Sequence, residues 1–290
     1  MISVLLAPPI GAALCKFRTV SDVTFRCYFL SFQMTPSSVA VFLKEPVAGR
    51  VKTRLARQLG PDAAAALYRN FIEDTIECLG RLPGPQKFAY YTPATAVDSC
   101  PGLLPAWGGN WTLRPQRGDS LGERLSHTFS ELFRGGSNRA VVVGTDCPLL
   151  DCRLLRRAFV FLADHDLVLG PAKDGGYYLI GLRQPAPELF EEIPWSSPKV
   201  LERTLEQARD VGLSSILLTP LDDVDVVEDL APLRVDLLEA WREVAAGKRR
   251  DFPRRTFRQL FWWPPPTLPG PTRGGSPGAS ESESGGGGDP

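Results

Sequence analysis

The 290-residue chain carries 33 Lys and Arg against 33 Asp and Glu, so no net field draws it to nucleic acid or an anionic membrane surface. Hydrophobic residues make up 43% of it, enough for a sizeable core. The six cysteines form no C-x-x-C pair and the histidines number only two, which argues against a zinc ribbon, a compact disulfide framework, a histidine-rich metal centre and a Ser-His-Asp triad, and suits a reducing, cytoplasmic setting.

Residues 1–38 are expected to be a poorly structured extension. Met1 to Leu14 is apolar but holds Pro8-Pro9 and lacks a basic start, so it makes a poor signal peptide. The stretch to Ser38 is nearly acid-free, with Lys16, Arg18 and Arg26, and weakly resembles a transit peptide; translation from Met34 is the simpler reading. No apolar run approaches the ~20 residues that span a bilayer.

Val39 to Leu43 is β-branched and aromatic and predicts a buried strand, followed by a loop from Lys44 to Lys52. Asp62 to Arg81 has helical apolar spacing, with Pro61 well placed at its start. Lys87 to Thr92 and Trp111 to Arg114 read as strands, and Ser120 to Phe133 as an amphipathic helix ended by Gly135-Gly136. Ala140 to Gly144 is the strongest strand, continuous in the manner of a parallel sheet covered on both faces.

Helix Cys152 to Leu162 follows, then strands Leu167 to Leu169 and Tyr177 to Leu182. A helix from Ser197 to about Val211, a strand Ile216 to Thr219 and a helix Pro232 to Ala246 complete the pattern. Strands alternating with helices predict an α/β, Rossmann-like, mostly parallel sheet with helices on both faces, spanning residues 39–247. Residues 248–290 form a tail, disordered from about 264, where Pro, Gly, Ser and Glu dominate. The aromatic patch Phe261-Trp262-Trp263 is expected to pack back on the domain.

Ligands of open α/β sheets bind at the carboxyl ends of strands, and four unusual clusters fall there. After the first strand, Lys44, Arg50, Lys52 and Arg54 crowd one turn with Gly49 ahead of a helix, a natural phosphate site that on its own also resembles a solvated basic loop. After the strongest strand comes Gly144-Thr145-Asp146-Cys147-Pro148. There Asp146 either holds Mg²⁺ or Mn²⁺ or caps the next helix, and Cys147 reads as a packed small residue. Asp174-Gly175-Gly176-Tyr177 suits an acceptor lying close to the backbone, with Asp174 as its base, or a plain Gly-Gly turn. Beyond the last strand, Asp223 or Asp225 can pair with Asp146 on a metal, while Glu228 or Asp229 starts a helix.

These residues carry a resemblance. Lys44-x-Pro46, Gly49-x-x-Lys52-Thr53-Arg54-Leu55-Ala56, Gly144-Thr145-Asp146-x-Pro148-Leu149, Asp174-Gly175-Gly176-Tyr177-Tyr178 and Asp223-Val224-Asp225-x-x-x-Asp229-Leu230 resemble the DUF2064 family, and Gln116-x-Gly118-Asp119-x-Leu121-Gly122-x-Arg124 fits its pattern. The family comprises glycosyltransferase-like proteins of the GT-A, nucleotide-diphospho-sugar transferase fold, some linked to arsenosugar biosynthesis. The block from Lys44 to Leu55 is also similar to phospholactate guanylyltransferases. Cations replace the glycine-rich first loop of nucleotidyltransferases, and Thr145-Asp146-Cys147 has one acid where GT-A glycosyltransferases have D-x-D.

The resemblance implies a metal-dependent transferase with a nucleotide-linked donor and a small-molecule acceptor. Lys44, Gly49, Arg50, Lys52 and Arg54 are expected on the phosphates, Asp146 and Asp225 on Mg²⁺ or Mn²⁺, Asp146 and Asp174 in catalysis, and Gly175, Gly176 and Tyr177 at the acceptor. Glycosyl transfer comes first, nucleotidyl transfer with pyrophosphate release second, and a catalytically inactive nucleotide-binding domain third.

Overall fold

A computed structural model gives the fold and describes residues 36–97, 110–249 and 251–262. The extension up to Thr35, Trp263 and the Pro/Gly-rich tail expected from residue 264 lie outside the described residues. Seven strands form one sheet: β1 (Ser37–Lys44), β2 (Gln86–Thr92), β3 (Trp111–Pro115), β4 (Arg139–Val143), β5 (Leu167–Pro171), β6 (Tyr177–Leu182) and β7 (Ser215–Leu217). Their order is β3-β2-β1-β4-β6-β5-β7. The helices are α1 (Thr53–Leu59), α2 (Pro61–Gly80), α3 (Leu121–Arg134), α4 (Cys152–Phe161), α5 (Val200–Asp210), α6 (Leu230–Ala245) and α7 (Arg254–Trp262).

The expected α/β architecture is present. Val39 and Val41 of β1 join one buried cluster, against α2, α4, α6 and α7, while Ala40 joins a second, against α3 and α5. Both faces of β1 and β4 are therefore covered, which is why their sequences run apolar without alternation. The sheet is parallel except at β6, which pairs antiparallel with β4 and β5. That reversal follows from the short turn between β5 and β6, too brief for a crossover helix. It also brings the start of β6 to the same sheet edge as the end of β4.

Three elements differ from expectation. Helix α1 begins directly after the expected loop, at Thr53, and fills the stretch before the helix expected from Asp62. Helix α5 starts at Val200 rather than Ser197, because Ser196 takes a positive φ of 63° and the chain is still turning there. Beyond Gly247 the expected tail instead contains α7, which docks on α2. Asp74 of α2 accepts hydrogen bonds from the main-chain N–H of Arg255 at 3.2 Å and of Thr256 at 2.9 Å. Phe257 stacks on Phe261 at 4.4 Å between ring centres and on Trp241 at 5.8 Å, so Phe261 does pack back on the domain. Among the described residues no helix is long and apolar enough to cross a membrane.

Candidate functional site

The site forms where β1, β4 and β7 deliver their loops to one edge. Beyond Lys44 the chain turns through Gly49, which has a φ of 76°, and enters α1 from Lys52. Lys52 itself is left-handed, with φ 45° and ψ 46°, a conformation that side chains with a Cβ adopt rarely and at some energetic cost. The return is position. Its side chain is only 5% exposed, and its Nζ meets the Oδ1 atoms of Asp146, after β4, and of Asp225, after β7, the latter at 2.8 Å. Burial alone would lower the Lys52 pKa, but the two carboxylates outweigh it and hold the ammonium charged well above the ordinary lysine range.

The two acidic loops are fixed to each other. Val224 donates its N–H to the Asp146 carbonyl at 3.1 Å. The Asp229 carboxylate accepts from the N–H groups of Asp225 at 2.7 Å and Val226 at 2.8 Å. Asp229 is thus a capping residue, while the Asp225 carboxylate faces Lys52. Below them Tyr68 of α2 accepts from the Lys44 N–H at 3.1 Å and shares a hydrogen bond with Thr145 Oγ1 at 3.0 Å. Burial first, and the Asp146 carboxylate second, push its phenol up to about 12. Tyr68 was not singled out from sequence; it sits in the apolar stripe of α2, and its one signal is a hydroxyl where Leu or Phe would serve.

Arg50 and Arg54 are exposed beside this cluster, with Lys44 across from them. Together with Lys52, Thr53, Asp146 and Asp225 they line a cavity of about 390 Å³. A second, of about 380 Å³, shares Lys44, Tyr68 and Asp146 with the first and extends along Phe42, Gln116, Arg124 and Tyr177. Larger hollows of about 780 and 870 Å³ lie at the amino end of β4 and between α4 and α6. Neither holds a buried ammonium shared by acids from two strand ends, as Lys52 is in the cleft, so chemistry rather than volume selects the cleft.

The acceptor motif also has local structural reasons. Gly175, at φ 91°, has no room for a side chain because a Cβ there would stand 2.1 Å from the Pro198 carbonyl oxygen. A glycine there lets the chain before α5 approach closely. A Cβ on Gly176 would come 3.2 Å from Asp174 Oδ1, which accepts the Gly176 N–H at 2.8 Å in a local turn. Tyr177 lines the second cavity. Asp174 stays exposed, and after burial its charge is the next cause that raises the pKa of Asp223.

The Gln116 to Arg124 stretch also has a structural reason: Ser120 Oγ accepts the Glu123 N–H at 3.1 Å and Glu123 accepts that of Asp119 at 2.9 Å, which starts α3. Within it Gln116 donates to the Tyr90 carbonyl at 3.0 Å. Cys147 is buried, and burial, then nearby acids, push its thiol well up, as suits a packed residue rather than a nucleophile.

A family model described as an uncharacterized protein conserved in bacteria (DUF2064) matches residues 75–197. The crystal structure of a candidate nucleotide-diphospho-sugar transferase from Desulfovibrio desulfuricans G20 is 34% identical over 78% of this chain and 95% of its own, with a TM-score of 0.66. The chain belongs to the DUF2064 family. The DUF2064 match covers Asp146 and Asp174 but neither Lys44 to Arg54 nor Asp225, which only the fold brings to Asp146. The structure of 4-diphosphocytidyl-2C-methyl-D-erythritol synthase from Anaerococcus prevotii DSM 20548 is 10% identical over 72% of this chain and 99% of its own, with a TM-score of 0.50, and shares the fold. No curated protein matches the DUF2064 chain.

Asp146 and Asp225 fit a hard divalent ion. Their side chains are 52% and 44% exposed, and their Oδ1 atoms already converge on one cation, Lys52.

Proposed function

We propose that this chain is a transferase acting on a nucleotide-linked donor in the cleft at Lys52, Asp146 and Asp225, with glycosyl transfer to a small-molecule acceptor as the leading activity. The convergence of these three residues from three separate strand ends carries the reading. The 34% identical relative, named as a candidate nucleotide-diphospho-sugar transferase, supports it.

In this reading Lys44, Arg50 and Arg54 bind phosphate oxygens, and Lys52 stands ready to exchange a carboxylate for a phosphate. Asp146 and Asp225 would hold Mg²⁺ or Mn²⁺, which when bound supplies positive charge to the diphosphate. Asp174, held by its turn, positions or deprotonates the acceptor hydroxyl. The diphosphate then leaves with the electron pair of its bond to the sugar, against the cations after β1.

A second reading is nucleotidyl transfer. Four cations around one turn match the charge of a triphosphate more fully than that of a diphosphate. Products separate the two: incubation with sugar nucleotides or with nucleoside triphosphates, with Mn²⁺, releases nucleoside diphosphate in the first case and pyrophosphate in the second. Thermal shift against the same panel reads binding in parallel. No stabilisation by any nucleotide, with or without Mn²⁺, would overturn both.

A further inference from the structure

Behind the sheet, away from the cleft, three donor atoms meet that the proposed activity does not use. Cys78, in the last turn of α2, places its Sγ 3.5 Å from the Sγ of Cys152, the first residue of α4. Asp251 places Oδ2 3.6 Å from the Cys78 Sγ, and all three ligand atoms lie within 4.8 Å of one another. The residues are 6, 7 and 6% exposed, respectively. They come from segments 74 and 99 residues apart, which explains why cysteine spacing in the sequence shows nothing.

We propose that Cys78, Cys152 and Asp251 form a structural site for a thiophilic divalent ion of the zinc type. The distances suit it. With metal–sulfur bonds of about 2.3 Å and metal–oxygen bonds of about 2.0–2.2 Å, a tetrahedral site has sulfur–sulfur edges of about 3.8 Å and sulfur–oxygen edges of about 3.5 Å. The charges suit it too. Two thiolates and one carboxylate leave one negative charge over a divalent ion, and Arg249, 8% exposed with its Nε 4.0 Å from Asp251 Oδ1, cancels it. The start of α4 adds its dipole, and Cys152 donates its N–H to Asp251 Oδ2 at 2.6 Å.

A tetrahedral ion needs a fourth ligand. A cavity of about 10 Å³ borders Cys78, Asp251 and Arg249, room for one water molecule. Binding expels two thiol protons to solvent and involves no redox change. The ion would tie the flank after Gly247 to two core helices. Soft sulfur donors separate this site from the all-oxygen pair at the cleft.

The test uses the full chain, reduced, stripped with a chelator and titrated with Co²⁺. A thiolate-to-cobalt charge-transfer band and the visible bands of a tetrahedral ion, saturating at one equivalent and bleached by Zn²⁺, are expected. C78S and C152S lose the band, and Asp251→Asn weakens affinity at least tenfold. C147S, the C15S/C27S/C100S triple variant and Asp146→Asn keep it, which separates this site from the remaining thiols and from the cleft. Native mass of the wild type plus one zinc, with a raised melting temperature, supports the site even where a serine variant does not fold. A folded, fully reduced wild type without the cobalt band overturns it.

Discussion

Asp146 and Asp225 in the cleft, and Asp74 under the carboxyl flank, are the same residue put to opposite uses. The cleft pair is about half exposed and shares one ammonium, whereas the Asp74 side chain is 2% exposed and takes two main-chain N–H groups plus the Arg255 guanidinium. Asp74 has no oxygen to spare, and its work is to hold α7 in place. Asp146 and Asp225 share the single Lys52 ammonium and keep about half of their own surface open. Saturation by backbone marks Asp74 as structural; the half-open pair is the one that the proposed function puts to use.

The sharpest way to break this contrast is to end the chain at Pro253. Losing α7 uncovers the Trp241 ring that Phe257 stacks on and removes Phe257, Leu260 and Phe261 from the core cluster. At about 1.5–3 kcal/mol per buried apolar side chain, the loss is expected to exceed every point change below, read by urea denaturation. An unchanged midpoint would return the flank to a passive tail.

Next in size is Asp74→Ala, which strands two buried N–H donors and is expected to cost about 3–5 kcal/mol while leaving nucleotide affinity untouched. Asp146→Asn and Asp225→Asn reverse the pattern. Each is expected to leave the fold intact and to remove most of the gain in nucleotide affinity that Mn²⁺ gives, about 1–3 kcal/mol, by calorimetric titration. Equal Mn²⁺ dependence in all three proteins would make the cleft acids structural as well.

The smallest effect lies at the far end of the sheet, at Asp166. Hydrogen bonds from Ser214, with Arg183 nearby, hold its carboxyl below the usual range. A lowered folded pKa stabilises the fold above the unfolded value and ceases to do so as pH falls through the folded one. Asp166→Asn is expected to cost less than ~1 kcal/mol at neutral pH, since water still reaches and screens the group, and the difference from wild type should fade as pH falls through the lowered folded pKa.

The sheet was legible in sequence because buried strands write themselves as apolar runs, and β1, β2, β4 and β6 lie within a residue or two of their expected limits. The pairing of Asp146 with Asp225 was legible for a different reason: strand ends of an α/β sheet share an edge whatever their separation. Lys52 between them was not, since no periodicity marks which cation of a basic loop turns inward. The inversion of β6, the Gly175 contact with Pro198 and the buried hydroxyl of Tyr68 all depend on packing between distant segments. Helix α7 is short and weakly apolar, and its anchor, Asp74, lies 182 residues before Thr256.

The contact between Lys52 and Asp225 spans 173 positions, with six of the seven strands, β2 to β7, inside the loop that it closes. Closing a loop that long is an entropic step paid only after β1, β4 and β7 are aligned. The cleft is therefore expected among the last features to form, and a chain emerging from a ribosome carries its basic turn long before it carries the acids that partner Lys52. In refolding, nucleotide binding should lag behind the recovery of helical signal, with competence arriving in one step when the final strand docks.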